Sequence, residues 1–599
     1  MGLIERVKRE VTLIGDMRRT LKAYGNIGRD SPETVADDIE RTCDRFPERP
    51  AFVFEGRTMS YAEFEALANR YAHWARERGL RPGDVVALFM PNRPDYVAVW
   101  FGLAKVGVAT ALINTGLTGR ALVHSIDISG ARQVILDAEL AEPLHAVASQ
   151  LANAPMVWAS GGAVQGAQDL DEALARLPSE RIPPEEARPG LTGGAVAMYI
   201  YTSGTTGLPK AAKMAHWRVM GYMRAFWGAG RGTEQDRVYI PLPLYHSTGG
   251  LCGVGFALEG GGAIILRRKF SASQFWSDVR EQHATVFFYI GELCRYLVNV
   301  PPSEEDGEHA IRLAVGNGLR PEVWERFQER FKVPRIMEFY GSTEGNVSLV
   351  NLDGKQGAIG RIPSYLRRRF NVRIVKFDFE NEQPLRGPDG LCIEAAPGEA
   401  GEAIGEIKEA EARFRFEGYA GDKAQTEKKV LRDVFRQGDA WFRTGDLMRQ
   451  DEEGYFYFVD RVGDTFRWKG ENVSTHQVNE VLSVFPGVKD ANVYGVQVGD
   501  LDGRAGMAAI TTDPGLDLAG LRQYLARELP SFARPLFLRL QPEIATTGTF
   551  KHRKVDLVKE GFDPAVVRDP LLFDDPRAGA YVPLTPELRE EILAGRVRL

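Results

Sequence analysis

The segment with the clearest chemical character is a run of small and hydroxylated residues that ends in a lysine, from Tyr199 to Lys210 (YIYTSGTTGLPK). Small residues let backbone amides approach an anion, hydroxyl groups donate further hydrogen bonds, and the lysine adds a positive charge. The segment lacks the spacing and the GK[ST] ending of a Walker A loop. Its composition alone leaves open an ordinary surface loop. The predicted phosphate-binding residues are Thr202, Ser203, Gly204, Thr205, Thr206, Gly207 and Lys210.

The elements that must position this loop follow an α/β pattern. Short apolar strands alternate with helices before the loop and again after it, through YIPLPL, AIILRR, TVFFYI and IMEFYG. Such alternation predicts layered parallel α/β subdomains. From about residue 370 the pattern changes to short strands with Gly and Pro turns, which predicts a β-rich subdomain. The last part of the chain, which includes a predicted helix over 471–485, indicates a small α+β module.

The composition of the 599 residues excludes some functions. A formal net charge of −6 gives no electrostatic basis for a nucleic-acid partner. The four cysteines form no CxxC pair, no paired Cys/His spacing supports zinc, and no secretory signal is visible. We therefore expect reduced, mostly buried thiols in a cytoplasmic protein. The most apolar stretch, residues 96–113, contains Lys105 and predicts a helix followed by a strand rather than a membrane span.

The first 24 residues form a predicted amphipathic helix. Apolar residues recur at helical spacing, and basic residues fill most of the other positions. Such a helix either lies in a membrane interface beside anionic lipids or packs on its own domain. The sequence leaves both interpretations open. The apolar positions are Leu3, Ile4, Val7, Val11, Ile14, Met17, Leu21 and Tyr24.

The segment YTSGTTGLPK closely resembles the phosphate-binding signature of the adenylate-forming superfamily, which includes acyl-CoA synthetases, peptide-synthetase adenylation domains and luciferases. Further signatures of that superfamily follow in order over residues 50–555. PLYHS resembles the motif whose histidine, here His246, lies beside the acyl pocket. Taken alone, His246 would be read as a structural histidine.

Two later segments resemble those that enclose adenine in the superfamily. In the second segment the resemblance implies an aromatic face from Tyr340, a hydroxyl for the α-phosphate from Thr343, and a Mg²⁺ ligand from Glu344, whose carboxylate is a hard oxygen donor. The residues of the two segments are Gly316, Asn317, Gly318 and Leu319, and then Tyr340, Gly341, Ser342, Thr343 and Glu344.

WFRTGD resembles the motif whose aspartate, Asp446, accepts hydrogen bonds from the ribose hydroxyls. Arg461, in DRVGD, would be its ribose-side partner. The pivot for rotation of the small domain would be Gly463, because glycine tolerates large backbone changes. Rotation would present a face carrying Trp468, Lys469 and Gly470 to CoA.

The resemblance implies a two-step reaction: a carboxylate and Mg·ATP give acyl-AMP and pyrophosphate, and the CoA thiol then gives acyl-CoA and AMP. ATTGTFKHRK resembles the superfamily's lysine motif near the C-terminus and makes Lys551 the catalytic cation. Phe550 replaces the usual glycine of that motif, and Lys554 lies close by, so the register is open. The implied domains are an N-terminal helix over 1–30, a large domain over 31–462 and a small mobile domain over 463–599.

Several longer stretches, including DRVGDTFRWKGENVST and TGTFKHRKVDLVKEGFDP, closely resemble the fatty acid transport protein and very-long-chain acyl-CoA synthetase family. That resemblance implies ATP, Mg²⁺, CoA and a long- or very-long-chain fatty acid as ligands. It also implies a cytoplasmic enzyme, with peripheral membrane contact through the first helix as an option. The alternatives are a carrier-loading adenylation module, a steroid or bile-acid CoA ligase, and a lipid-binding or transport protein with weak catalysis.

Overall fold

The computed structural model describes residues 3–202, 208–341, 346–378, 381–408, 411, 414, 416, 418, 423–469, 471–499, 501, 503–544, 554–597 and 599. The chain forms two compact units. The first comprises Met1–Arg361 and Glu406–Val430, and the second Ile362–Gly405 and Leu431–Leu599.

The helices, in chain order, are α1 Leu3–Tyr24, α2 Val35–Arg45, α3 Tyr61–Glu77, α4 Pro94–Lys105, α5 Gly119–Ser129, α6 Ala141–His145, α7 Leu170–Ala175, α8 Pro184–Ala187, α9 His216–Ala229, α10 Val254–Gly260, α11 Phe275–Glu281, α12 Gly291–Asn299, α13 Pro321–Phe331, α14 Lys423–Lys428, α15 Thr475–Val484, α16 Leu518–Glu528, α17 Val555–Glu560 and α18 Pro586–Leu593.

The strands are β1 Pro50–Phe54, β2 Arg57–Ser60, β3 Val85–Phe89, β4 Ala109–Leu112, β5 Gln133–Asp137, β6 Met156–Ser160, β7 Gln168–Asp169, β8 Val196–Thr202, β9 Lys210–Ala215, β10 Arg237–Ile240, β11 Ala263–Leu266, β12 Val286–Ile290, β13 Leu313–Asn317, β14 Ile336–Gly341, β15 Ser348–Val350, β16 Gly360–Arg361, β17 Val372–Asp378, β18 Gln383–Pro384, β19 Gly401–Glu406, β20 Val430–Arg432, β21 Ala440–Gln450, β22 Tyr455–Arg461, β23 Phe466–Trp468, β24 Glu471–Val473, β25 Val488–Val496, β26 Ala505–Thr512, β27 Phe537–Leu540, β28 Leu571–Asp575 and β29 Ala580–Pro583.

Two mostly parallel sheets form the framework of the first unit. One has the strand order β15-β14-β13-β12-β10-β11-β1-β2, and the other has the order β7-β6-β5-β3-β4-β8-β9. In each sheet the neighbouring pairs are parallel except at the ends, where β14–β15, β1–β2 and β8–β9 are antiparallel. The central strands are buried, apolar runs such as VFFYI in β12, as expected for parallel sheets covered on both faces. This arrangement confirms the predicted α/β class.

The second unit contains a β-rich part and an α+β module, as predicted. Strands β22, β21, β19, β17 and β18 are consecutive neighbours in the β-rich sheet, and β20 pairs with β21. The module has a sheet in the order β25-β26-β27-β28-β29, a β23–β24 hairpin, and a separate apolar core. The predicted boundary at residue 462 lies inside this unit and stays a prediction.

The helix predicted over 471–485 is shorter in the structure. Glu471–Val473 is the strand β24, and α15 begins after Ser474, whose hydroxyl oxygen accepts a hydrogen bond from the backbone N–H of Gln477 at 3.2 Å. A serine that caps a helix in this way fixes its first turn. The apolar stretch over 96–113 forms α4 and β4, in agreement with the prediction.

All four cysteines lie in described parts of the chain, are buried, and form no disulfide, as predicted. In the same described residues, no helix is both long and apolar enough to cross a membrane. The predicted N-terminal helix is α1, which packs against α9 in the first unit.

Candidate active site

The predicted phosphate loop connects the antiparallel strands β8 and β9. Thr202, the last residue of β8, pairs with Lys210, the first residue of β9, so the ends of the loop are held together by the sheet. The hydroxyl of Tyr201 donates to the carbonyl of Ser125 at 2.5 Å and anchors the end of β8 to α5. The predicted residues Ser203, Gly204, Thr205, Thr206 and Gly207 lie outside the described residues.

His246 lies in the connection that follows β10. It precedes a π-helical turn, Ser247–Gly253, and its ring lies 4.5 Å from the ring of Tyr245, measured between centroids. Asn92 fixes this connection, since its side-chain amide donates to the carbonyl of Leu242 at 2.8 Å and its oxygen accepts from the N–H of Leu244 at 2.9 Å. π-helical turns are rare and occur frequently at functional sites.

The predicted adenine segment 316–319 begins at the end of β13. Gly316 lies against β12, where a Cβ atom would come within 2.3 Å of the carbonyl oxygen of Tyr289. Gly318 has a φ of +77°, a conformation that glycine adopts without strain. The backbone of this segment therefore turns sharply at the end of its strand, as expected for a ligand-binding loop.

Glu338 lies directly beneath that segment, and sequence reasoning missed it. Its carboxylate accepts hydrogen bonds from the N–H groups of Gly318 at 3.1 Å and Leu319 at 3.0 Å, and from the hydroxyl of Tyr289 at 2.8 Å. Burial raises the pKa of Glu338 to about 8, although its three donors favour the ionised form. An acid within the otherwise apolar strand IMEFYG is the sequence signal that could have revealed it.

Tyr340 and Gly341 end β14, next to the end of β13 in the same sheet. The hydroxyl of Thr248, in the π-helical turn, contacts the side-chain oxygen of Asn317 at 3.4 Å. The structure therefore brings the His246 connection, the segment 316–319 and Tyr340 to one edge of one sheet. Ligands of open α/β sheets bind at the carboxyl ends of parallel strands.

The predicted ribose residues form a pair in the second unit. Asp446 on β21 lies opposite Arg461 on β22, and the Nε of Arg461 is 3.7 Å from the nearer carboxylate oxygen of Asp446. Buried Glu402 fixes the preceding residues of β21 through an ion pair with the Nε and Nη2 atoms of Arg443, at 3.0 and 2.7 Å, and through the N–H of Gly445 at 3.3 Å. The half-exposed arginine and the more buried acid are thus held on adjacent strands.

The segment after Arg461 contains the predicted hinge. Gly463 has a φ of +88°, within the region that favours glycine. Trp468, in the predicted CoA-facing segment, is only 3% exposed and belongs to the core of the α+β module. Its neighbour Lys469 is exposed. Gly470 lies outside the described residues.

Lys554, the alternative to Lys551, is held in the second unit. Its Nζ atom lies 3.1 Å from the carboxylate of Asp464 and donates to the hydroxyl of Thr475 at 2.7 Å. Buried Asp460 accepts from the N–H of Thr475 at 2.7 Å, which connects β22 to α15. Lys551 itself lies outside the described residues.

The predicted metal ligand Glu344, with Ser342 and Thr343, also lies outside the described residues. Within the described part of the chain, no cluster of three or more His, Cys, Asp or Glu side chains could hold a metal ion. The assignment of Mg²⁺ to Glu344 therefore stays a prediction.

Two family models match the sequence. Residues 39–402 match the AMP-binding enzyme model, and residues 477–551 match the model of the AMP-binding enzyme C-terminal domain. Among curated proteins, the mouse long-chain fatty acid transport protein 6 is 42% identical over 94% of this chain and 91% of its own length. The chain belongs to the fatty acid transport protein branch of the AMP-binding enzymes. The mouse long-chain fatty acid transport protein 1 is 44% identical over 95% of this chain and 88% of its own length.

Two solved structures illustrate the fold that this family member shares with other proteins. An anthranilate CoA ligase in complex with anthranoyl-AMP has a TM-score of 0.73 at 20% identity, over 88% of this chain and 96% of its own. ATP-bound MatB from Rhodopseudomonas palustris has a TM-score of 0.72 at 23% identity, over 88% of this chain and 98% of its own.

Proposed function

We propose that this AMP-binding enzyme is a long- or very-long-chain fatty acyl-CoA synthetase. In the first step a carboxylate oxygen attacks the α-phosphorus of ATP; an O–P bond forms to give acyl-AMP, and the bond to the leaving pyrophosphate breaks. In the second step the CoA sulfur attacks the acyl carbon, the thiol proton is lost, and AMP leaves with the electron pair of the broken C–O bond.

The observation that carries this proposal is the convergence of three segments at the carboxyl edge of one sheet. The His246 connection, the 316–319 segment and Tyr340 come from β10, β13 and β14, and the Thr248–Asn317 contact joins the first two. Membership of the AMP-binding enzymes supports a nucleotide as the ligand, and we propose that it binds at this edge. We assign adenine to the 316–319 segment and Tyr340, and the acyl group to the side of His246.

The electrostatic obstacle in the first step is the approach of a carboxylate to a polyanion. Positive groups aimed at the developing charge lower such barriers. We assign this role to Lys210 at the phosphate loop and to Lys551. The contacts of Lys554 with Asp464 and Thr475 support Lys551 as the catalytic lysine, because they give Lys554 a structural role. Bound Mg²⁺ would neutralise phosphate charge, and Glu344 is its proposed ligand.

The remaining assignments concern the second unit. We propose that Asp446 and Arg461 bind the ribose, since the acid accepts hydrogen bonds and the pair is held on adjacent strands. We further propose that residues 463–599 rotate about Gly463 relative to residues 31–462 and present Lys469 to CoA. Both roles belong to the same two-step reaction.

The fatty acid assignment rests on the relatives, which are named long-chain fatty acid transport proteins and are 42% and 44% identical to this chain. A steroid or bile acid is the alternative substrate. A lipid-binding or transport protein with weak catalysis is the alternative of another class. Activity measurements separate the three.

The test is acid-dependent exchange of labelled pyrophosphate into ATP, with fatty acids from dodecanoate to tetracosanoate and with cholate. We expect exchange with fatty acids, and a loss of roughly 10²–10³ in rate for Lys551→Ala, the effect of removing one group that stabilises transition-state charge. Lys559→Ala, which removes an exposed lysine of α17, is the matched control and should exchange at the wild-type rate.

The other outcomes are equally informative. If folded protein that binds ATP shows no exchange with any acid, it is not a synthetase, and a lipid-binding protein becomes the better interpretation. Exchange with cholate alone would retain the mechanism and replace the substrate. An equal loss in Lys559→Ala would remove the assignment of Lys551.

A further inference from the structure

The N-terminal helix α1 is firmly attached to the first unit by one face. Leu13 and Asp16 on this face are fully buried. Gly228 of α9 allows the close approach, because a Cβ atom there would lie 3.0 Å from the Cα of Thr20 and 3.0 Å from the Cβ of Ala23. The helix is therefore part of the packed body of this unit.

The opposite face of α1 carries an exposed apolar stripe. Val7, Val11, Ile14 and Leu21 are 55%, 66%, 40% and 60% exposed. Their spacing of four, three and seven residues places them on one side of a helix. Four of the eight apolar residues that the sequence periodicity singled out thus point away from the domain, whereas Met17 and Tyr24 pack against its core together with Leu13.

The acidic residues of α1 with described side chains lie on the face that packs against the unit. Asp16 faces the body and forms ion pairs with Arg231 at 2.9 Å and Arg335 at 3.0 Å. Glu10 pairs with Arg361 at 2.5 Å. The acids among the described side chains of α1 are thus compensated by the body of the unit.

The outward face is basic. Arg18 lies within the apolar stripe, Lys22 lies one turn further on, and both are exposed. A stripe of exposed Val, Ile and Leu beside basic side chains matches the boundary between acyl chains and anionic headgroups of a bilayer. A soluble protein partner would have to bury the same cations against its own acids.

We propose that the outward face of α1 docks the protein onto an anionic lipid surface, with Val7, Val11, Ile14 and Leu21 entering the headgroup boundary. Arg18 and Lys22 contact the anionic headgroups, since long basic side chains lie along apolar surface with their charge in the polar layer. This docking surface is independent of the proposed reaction and can be tested without measuring catalysis.

The experiment is flotation of the full chain with vesicles of phosphatidylcholine alone or with about 30% phosphatidylglycerol, at low salt and at about 0.5 M salt. We expect binding to the anionic vesicles that weakens with salt. Val11→Glu combined with Leu21→Glu should lower the partition coefficient at least about tenfold, because each substitution replaces an inserted apolar group with a charge. Arg18→Glu combined with Lys22→Glu should abolish the preference for phosphatidylglycerol.

The matched control is Met156→Glu combined with Val566→Glu, two exposed apolar residues outside α1 that are 49% and 59% exposed. This control should bind like the wild type. Thermal melting by circular dichroism verifies that each variant is folded. Unchanged vesicle binding by the Val11→Glu, Leu21→Glu variant overturns the proposal. A wild-type protein that ignores vesicles but self-associates through these residues overturns it in favour of a second copy as the partner.

Discussion

Glu338 is a buried acid whose position follows from strand register. It pairs with Gly316 in the parallel register of β13 and β14, and this register places its carboxylate under the N–H groups of Gly318 and Leu319. The carboxylate can affect nucleotide binding without contacting the nucleotide itself. By holding two backbone donors, Glu338 fixes the turn that we assign to adenine and therefore acts as a positioning residue.

Glu338→Gln should weaken ATP binding selectively. The glutamine NH₂ is a donor and would face at least one of the N–H or O–H donors, which leaves a buried donor unsatisfied at a cost of about 1–3 kcal/mol. If the loop moves to relieve this conflict, KM for ATP should rise roughly tenfold, and KM for the fatty acid should not change. Steady-state kinetics with each substrate varied in turn measure the difference.

The control for this prediction is Glu325→Gln, an exposed acid on α13. It should leave both KM values at the wild-type level. Equal increases in the KM for ATP and the KM for fatty acid after Glu338→Gln would indicate general damage instead of a positioning role.

The titration of Glu338 should also appear in the stability of the protein. Burial raises its pKa to about 8 in the folded state, from the ordinary value of 4.5. Between these values the folded state binds more protons than the unfolded state, so the free energy of unfolding falls as pH rises. The contribution is lost at up to about 1.4 kcal/mol per pH unit. The Glu338→Gln variant has no titratable side chain at this position and therefore lacks this pH-dependent contribution.

Urea denaturation at several pH values from about 5 to about 8 measures this effect. The difference in unfolding free energy, wild type minus Glu338→Gln, should decrease with increasing pH. Partly buried Glu259, whose pKa is also raised to about 8 by desolvation, is present in both proteins and cancels in that difference. A difference that does not vary with pH would show that Glu338 is ionised throughout this range.

At the scale of elements, the π-helical turn Ser247–Gly253 fixes the His246 connection. It lies between β10 and α10, and its residues Gly249 and Gly250 pack against the backbone of Leu242, Pro243 and Leu244. A Cβ atom at Gly250 would lie 1.8 Å from the carbonyl oxygen of Leu244, so no other residue fits without movement of the backbone. The contact between Thr248 and Asn317 then joins this turn to the end of β13.

Gly250→Ala should therefore destabilise the first unit by about 1–3 kcal/mol, the usual cost of overpacking. It should also lower pyrophosphate exchange, because the His246 connection moves. Gly28→Ala is the control, since a Cβ atom there would meet nothing within 4 Å. Denaturant unfolding and exchange assays on both variants measure the two effects. A Gly250→Ala protein as stable as Gly28→Ala would contradict the packing argument.

At the scale of the whole molecule, the proposed reaction needs two arrangements of the chain, and Gly463 is the residue at which we expect the change. Its φ of +88° is open to glycine, whereas a residue with a Cβ atom is strained there. Asp460, three residues before Gly463, is buried and accepts a hydrogen bond from the N–H of Thr475. Asp464, the residue after Gly463, contacts the Nζ atom of Lys554. The hydrogen bond from Thr475 to Asp460 joins residues on the two sides of the proposed hinge, so the rotation has to break it, and the glycine provides the conformational freedom.

Gly463→Ala should separate the two half-reactions. We expect pyrophosphate exchange to stay within about threefold of wild type, and complete acyl-CoA synthesis to fall about tenfold, because only the second step requires the rotated arrangement. Gly515→Ala, which has a φ of +80° in open space, controls for backbone strain alone. Equal losses in both assays, or equal behaviour of the two variants, would remove the hinge assignment.

Much of the fold was predictable because its signals are local. The apolar runs of the parallel strands, the helix over 94–105 and the loop between β8 and β9 all follow from periodicity and from turn residues. The helix boundary at Ser474 was not predictable from the apolar pattern alone, because the pairing of β24 with β23 competes with helix formation at residues 471–473. The motif positions of His246, Tyr340 and Asp446 were likewise readable, since each lies in a short motif of residues adjacent along the chain.

The sequence by itself determined the family, the order of the motifs and the α/β class, since these depend on residues adjacent along the chain. Only the tertiary structure decided that Glu338 supports the segment 316–319, because that contact depends on the register of two strands. It also decided which face of α1 is buried: the packing of Leu13 and the ion pairs of Asp16 outweigh the apolar stripe. Periodicity shows that a helix has two faces, but only its neighbours determine which one meets solvent.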